Sequence, residues 1–82
     1  MRRMTSNETQ VTFGIRLRAW RRNRGLSQIA FGELLNPPVG HWTICRWERG
    51  RRLPSSQFLR QIVLITGISA AVALGVQRNS RL

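Results

Sequence analysis

The residues best equipped for chemistry crowd into one stretch, Gly40-His41-Trp42-Thr43-Ile44-Cys45-Arg46-Trp47-Glu48-Arg49-Gly50-Arg51-Arg52. Four guanidinium groups fall within seven positions there. Each presents a planar fork of donors that fits two phosphate oxygens or the O6 and N7 edge of a guanine. Trp42 offers a flat apolar surface, and Thr43, Cys45 and His41 offer short polar groups. This is the chemistry of recognition. Bond-making chemistry is poorly provided for: the chain has one His, one Cys, three Glu and no Asp. No enzyme activity and no cofactor are expected. His41 and Cys45 share a face at i, i+4, as metal ligands do, but a structural zinc site wants four ligands, so no metal is expected.

For these groups to act together they must share one face of a helix. At about 100° per residue, Ile44, Trp47 and Glu48 fall on one side. Trp42, Arg46 and Arg49 fall on the other, with Cys45 at its edge. The first face is suited to packing and the second to an external partner. Gly40 is the expected N-cap of this helix and Gly50 its end.

Composition names the class of partner. Fourteen arginines and no lysine face three glutamates, a formal net charge of +11. Such a balance calls for a polyanion. Eighty-two residues, 41% of them apolar, suffice for one small folded domain with a modest core. One cysteine allows no internal disulfide and fits a reducing, cytoplasmic setting. Met1-Arg2-Arg3-Met4 leads into polar residues, so no signal peptide is read. The most apolar run, Ile62 to Val76, is shorter than the roughly 20 residues of a membrane span, and no membrane association is expected.

The elements that must hold the stretch are read in order. Residues 1–10 are expected to be a flexible basic and polar arm, 11–76 the folded domain, and 77–82 a basic tail. Phe13, Leu17 and Trp20 recur at i, i+4, i+7 and predict a first helix over Phe13 to Arg24, with Thr12 as N-cap and Gly25 as terminator. Arg21 lies beside that apolar stripe and is a candidate for a buried role. Ser27 caps a second helix, Gln28 to Leu35, with Phe31, Leu34 and Leu35 apolar. Gly32 costs helix propensity, about 1 kcal/mol against Ala, which implies a close crossing by another helix. Asn36-Pro37-Pro38 is a hard stop. A fourth helix starts at Ser55 or Ser56 and ends near Thr66, before Gly67. Ser69 is expected to cap a short fifth helix through Leu74. The whole is an all-α bundle of four to five short helices, two of them joined as a helix-turn-helix.

Two blocks carry a family resemblance. Phe13-Gly14-x-x-Leu17-Arg18-x-x-Arg21-x-x-x-Gly25-Leu26-Ser27-Gln28 is followed by Thr43-Ile44-x-Arg46-Trp47-Glu48-Arg49-Gly50-x-x-x-Pro54-Ser55. Together they resemble the Cro/C1-type (XRE) helix-turn-helix regulators of bacteria and phages over about Phe13 to Ser69. The resemblance implies a lambda-repressor-like DNA-binding domain whose third helix enters the major groove. By position it implies base reading by His41, Trp42, Cys45 and Arg46. It implies backbone contacts by Thr43, Arg49, Arg51 and Arg52, a phosphate contact by Gln28 and a cap or DNA contact by Ser27. It also implies a salt bridge between Arg21 and the inward Glu48, partly buried, that sets the pose of the third helix. The sequence departs from the family at Asn36-Pro37-Pro38, where about two residues are added to the turn.

Alternatives stay open at single residues. Arg46 can donate to a guanine edge or to a phosphate. Trp42 can lie on thymine methyls or sugar, pack on a second subunit, or fold back on Pro37 and Pro38. His41 can contact phosphate at the helix start. The function that follows is a small dimeric autorepressor on a palindromic double-stranded operator, held to the nucleoid by DNA, with Ile68 to Val76 as its dimer contact. The alternative is an antitoxin that binds a protein partner and regulates its own operon.

Overall fold

The computed structural model of the chain describes residues 2–3, 5–69 and 76–77, with side chains at 5 and 8–69. The order is β1 (Arg2–Arg3), α1 (Ser6–Asn23), α2 (Gln28–Glu33), α3 (His41–Glu48), α4 (Ser56–Thr66) and β2 (Val76–Gln77). The fold is all-α. A two-residue antiparallel ladder, Arg2 opposite Gln77 and Arg3 opposite Val76, brings the two ends of the chain together.

α1 begins seven residues before the position its apolar stripe predicts. The reason is a capping box. Thr5 Oγ1 accepts from the Glu8 backbone N–H at 3.1 Å, and Glu8 Oε1 accepts from the Thr5 N–H at 2.9 Å. Thr12 is therefore a mid-helix residue and not the N-cap. The folded unit reaches back to Thr5, into the stretch expected to be a flexible arm. α2 ends at Glu33, and Leu34 beyond it is 51% exposed while Leu35 turns into the core.

α1 and α3 stop in the same way. Past α1, Leu26 N–H donates to Arg21 O at 3.1 Å and Gly25 N–H to Arg22 O at 3.0 Å, with Gly25 at φ 67°. Past α3, Arg51 N–H donates to Arg46 O at 3.0 Å and Gly50 N–H to Trp47 O at 3.2 Å, with Gly50 at φ 74°. Both are Schellman motifs, which need a left-handed residue at the position after the cap. The second one aims the chain at Arg51 straight from the end of α3.

The core is built from all four helices and the segment after them: Phe13, Leu17, Phe31, Leu35, Ile44, Trp47, Ile62 and Ile68. Burying a side chain of this size stabilises by about 1.5–3 kcal/mol. Trp20 meets Phe31 edge-on at 5.9 Å, and Trp47 meets Phe58 at 5.9 Å. α1 crosses the end of α3 at Gly14, where a Cβ would stand 2.5 Å from the carbonyl oxygens of both Trp47 and Glu48. So a close helix crossing lies at Gly14, and it is not a helix crossing that Gly32 makes room for. What closes on Gly32 is backbone of the turn: a Cβ there would collide with the Val39 carbonyl.

The added turn is fastened to α4. The Asn36–Pro37 peptide is cis. Asn36 N–H donates to Gln61 Oε1 at 2.8 Å and Gln61 Nε2 donates to Asn36 O at 2.7 Å. One side chain thus satisfies both backbone groups of the residue where α2's path breaks. α4 ends at Gly67, φ 75°. Thr66 Oγ1 donates to Ile62 O at 2.7 Å and accepts from Ile68 N–H at 3.1 Å, which folds Ile68 inward. Ile68 is 8% exposed and belongs to the core, which removes it from the expected dimer contact. The rest of that contact apart from Ser69 and Val76, the expected fifth helix from residue 70 on, and the tail beyond Gln77 lie outside the described residues.

Candidate nucleic-acid interface

The two-faced character of α3 holds in three dimensions. Ile44, Trp47 and Glu48 are buried. Trp42 is 69% exposed, Arg46 and Arg49 are exposed, and His41, Thr43 and Cys45 are half-buried at the margins. Gly40 caps the helix in extended conformation with no side-chain hydrogen bond, its carbonyl accepting from Thr43 and Ile44 N–H.

One carboxylate sets the pose of this helix. Glu48 Oε2 accepts from Arg21 Nε at 2.6 Å and Glu48 Oε1 accepts from Arg21 Nη2 at 2.9 Å. The two side chains are 11% and 3% exposed. Arg21 Nη1 donates to Leu26 O at 2.7 Å, so the guanidinium also holds the turn that leads into α2. A negative group at a helix C-terminus is opposed by the helix dipole, and the paired guanidinium is what offsets it. The hydrogen bond to Glu48 raises the Arg21 pKa above its already high ordinary value; burial opposes this and the Glu48 charge adds to it.

Gln28 completes the arrangement in a way the sequence did not suggest. Its Nε2 donates to Glu48 Oε1 at 3.2 Å. The carboxamide implied to meet a phosphate gives one of its N–H groups to the carboxylate and keeps a second donor, and α1, α2 and α3 all meet at Glu48. Ser27 is the N-cap of α2, its Oγ accepting from Ala30 N–H at 2.9 Å.

Beside the outer face of α3 lies an open cleft of about 220 Å³, lined by Thr43, Arg46, Trp47, Arg52, Leu53 and Ser55. Two guanidinium-bearing residues and two hydroxyls converge there, next to the start of α4, where Ser55 makes no side-chain cap. Arg49 and Arg51 are exposed as well. On the other side, the rings of His41 and Trp42 stand 4.8 Å apart at 36°. That stack, with the exposure of Trp42, sets aside a placement folded back on Pro37 and Pro38.

Trp42, Arg46 and Arg49 thus share the outer face of α3 with His41, Thr43 and Cys45 at its margins, Arg52 joins Arg46 at the cleft, and Arg51 is exposed in the loop between them. Gln28 stays half-buried with its amide on Glu48. The His41–Trp42 stack has a sequence signal only in adjacency, and the clamp of Gln61 on Asn36 has none. Among the described residues no three His, Cys, Asp or Glu side chains are grouped as metal ligands, and no helix is long and apolar enough to cross a membrane.

No curated protein matches the chain. A family model described as a helix-turn-helix domain matches residues 12–74, which spans α2 and α3 and the crossing at Gly14. The domain is typically non-enzymatic and is found in XRE-like regulators, in keeping with the Cro/C1-type resemblance. By its matched residues and by the α2–α3 unit locked at Glu48, this chain belongs to the helix-turn-helix domain family.

Proposed function

We propose that this chain is a sequence-specific, double-stranded-DNA-binding transcriptional regulator that inserts α3 into the major groove. The observation that carries the reading is the helix whose inner face is fixed by Glu48 while its outer face leaves Trp42, Arg46 and Arg49 free to a partner. A charge of +11 supplies affinity for the phosphate backbone. Arg46, His41, Trp42 and Cys45 read base edges. Thr43, Arg49, Arg51 and Arg52 contact phosphates, and the cleft between α3 and α4 is shaped to seat one. Ser27 acts as a cap, and Gln28 holds Glu48 with one N–H of its carboxamide and meets a phosphate with the other.

The protein acts as a homodimer on a two-fold symmetric operator with half-sites about one turn apart, represses its own promoter, and stays on the nucleoid in the cytoplasm through DNA. The test is a footprint and titration on the DNA upstream of its own gene. The expected result is a symmetric protected site bound in preference to scrambled DNA at 0.2 M salt, a concentration of the order at which phosphate contacts are weakened. Equal affinity for both sequences overturns the regulator reading.

A further inference from the structure

The centre of the outer face of α3 is not polar. At about 100° per residue, Trp42 sits between Arg49 and Arg46, with Cys45 and Thr43 at the margins. Its indole is 69% exposed and is braced from one side by the His41 ring at 4.8 Å. A large aromatic held in place in water, on the face that turns to the partner, is a contact surface in waiting. A second copy of this chain is a poor occupant. In a two-fold contact Trp42 would bring Arg46 and Arg49 against the same arginines of the other copy, and like charges in contact repel.

A nucleic acid complements both parts. On the base-pair edges of the major groove the one apolar group is the C5 methyl of a pyrimidine. The indole offers an apolar surface and a single N–H donor, so it cannot read a base by paired hydrogen bonds as an amide does. Resting on the regulator reading above, we propose that Trp42, braced by His41, is a specificity-determining residue that reads pyrimidine C5 methyl groups, beside a guanine read by Arg46. Thymine and 5-methylcytosine carry that same group.

The test uses the full chain. A random duplex pool is selected at moderate salt, and the recovered site is remade with deoxyuridine for thymidine and, separately, with 5-methylcytosine for cytosine. If thymine is the natural ligand, the uracil duplex binds about fourfold more weakly for each contacted methyl, the worth of one buried carbon. If 5-methylcytosine is, the methylated duplex binds tighter by the same factor. In Trp42→Ala this methyl dependence disappears, and in Trp42→Phe it persists. Both variants keep the wild-type melting temperature, since the ring is outside the core. Methyl dependence absent in both arms, or unchanged in Trp42→Ala, overturns the proposal while leaving the regulator reading intact. A pool that returns no preferred sequence overturns that reading and this proposal with it.

Discussion

Gly32 and Val39 touch backbone to backbone across the turn between α2 and α3. Val39 N–H donates to Gly32 O at 3.1 Å, and the Val39 carbonyl occupies the space a Cβ at Gly32 would fill. The turn lengthened by Asn36-Pro37-Pro38 closes onto α2 only because that position has no side chain. Alanine at 32 gains about 1 kcal/mol of helix propensity and loses about 1–3 kcal/mol or more to the clash. We expect Gly32→Ala to lower the urea midpoint with an unchanged m-value. A raised midpoint would show that the turn relaxes freely.

The Arg21–Glu48 pair should matter for stability and for the pose of α3 together. Removing either partner leaves a charge with little access to water, at a cost of about 3 kcal/mol, the low end for buried pairs because Arg21 keeps an edge to solvent. Glu48→Ala is expected to melt at lower temperature and to bind its site more weakly even where it remains folded. A cycle of Arg21→Ala, Glu48→Ala and the double variant should show strong coupling. Additive losses would mean the pair is geometry without energy.

Gln61→Ala removes two hydrogen bonds at the surface of the turn, each worth about 0.5–1.5 kcal/mol. The expected loss of stability is about 1–3 kcal/mol, toward the low end because both bonds are exposed to water. The local effect is larger: the Asn36 amide, now bonded at 2.8 Å to the Gln61 oxygen, should exchange with solvent faster while amides inside α1 keep their protection. Unchanged exchange at Asn36 would remove the clamp from the account of how α3 is placed.

Arg51 and Arg52 are exposed just past the Schellman turn of α3. As phosphate contacts they add affinity without sequence information. Each substitution to Ala should reduce the slope of log K against log salt by about 0.9 and weaken specific and non-specific DNA alike. A change in the ratio of the two affinities would reassign that arginine to base reading.

Much of this fold is legible in the sequence. The 3.6-residue spacing of Phe13 and Leu17, the glycines at 25, 50 and 67, and the division of α3 into Ile44–Trp47–Glu48 against Trp42–Arg46–Arg49 are all local. They depend on helical period and on which residue tolerates a left-handed turn, and the structure repeats them. The Thr5-x-x-Glu8 box was equally local, but the hydrophobic stripe drew the start of α1 to Phe13.

The long-range partners were a different matter. Arg21 and Glu48 meet as the family resemblance implied, 27 positions apart. The Gln28 amide on Glu48, the Gln61 side chain on Asn36, the carbonyls of Trp47 and Glu48 over Gly14, and the inward turn of Ile68 carry no mark in composition or periodicity. The sequence by itself determined the four helices seen among the described residues and which face of α3 is free, because periodicity and capping act within a turn or two of chain. Only the tertiary structure decided how α3 is held, because close packing and hydrogen-bond satisfaction are settled between groups the chain brings together from tens of residues apart.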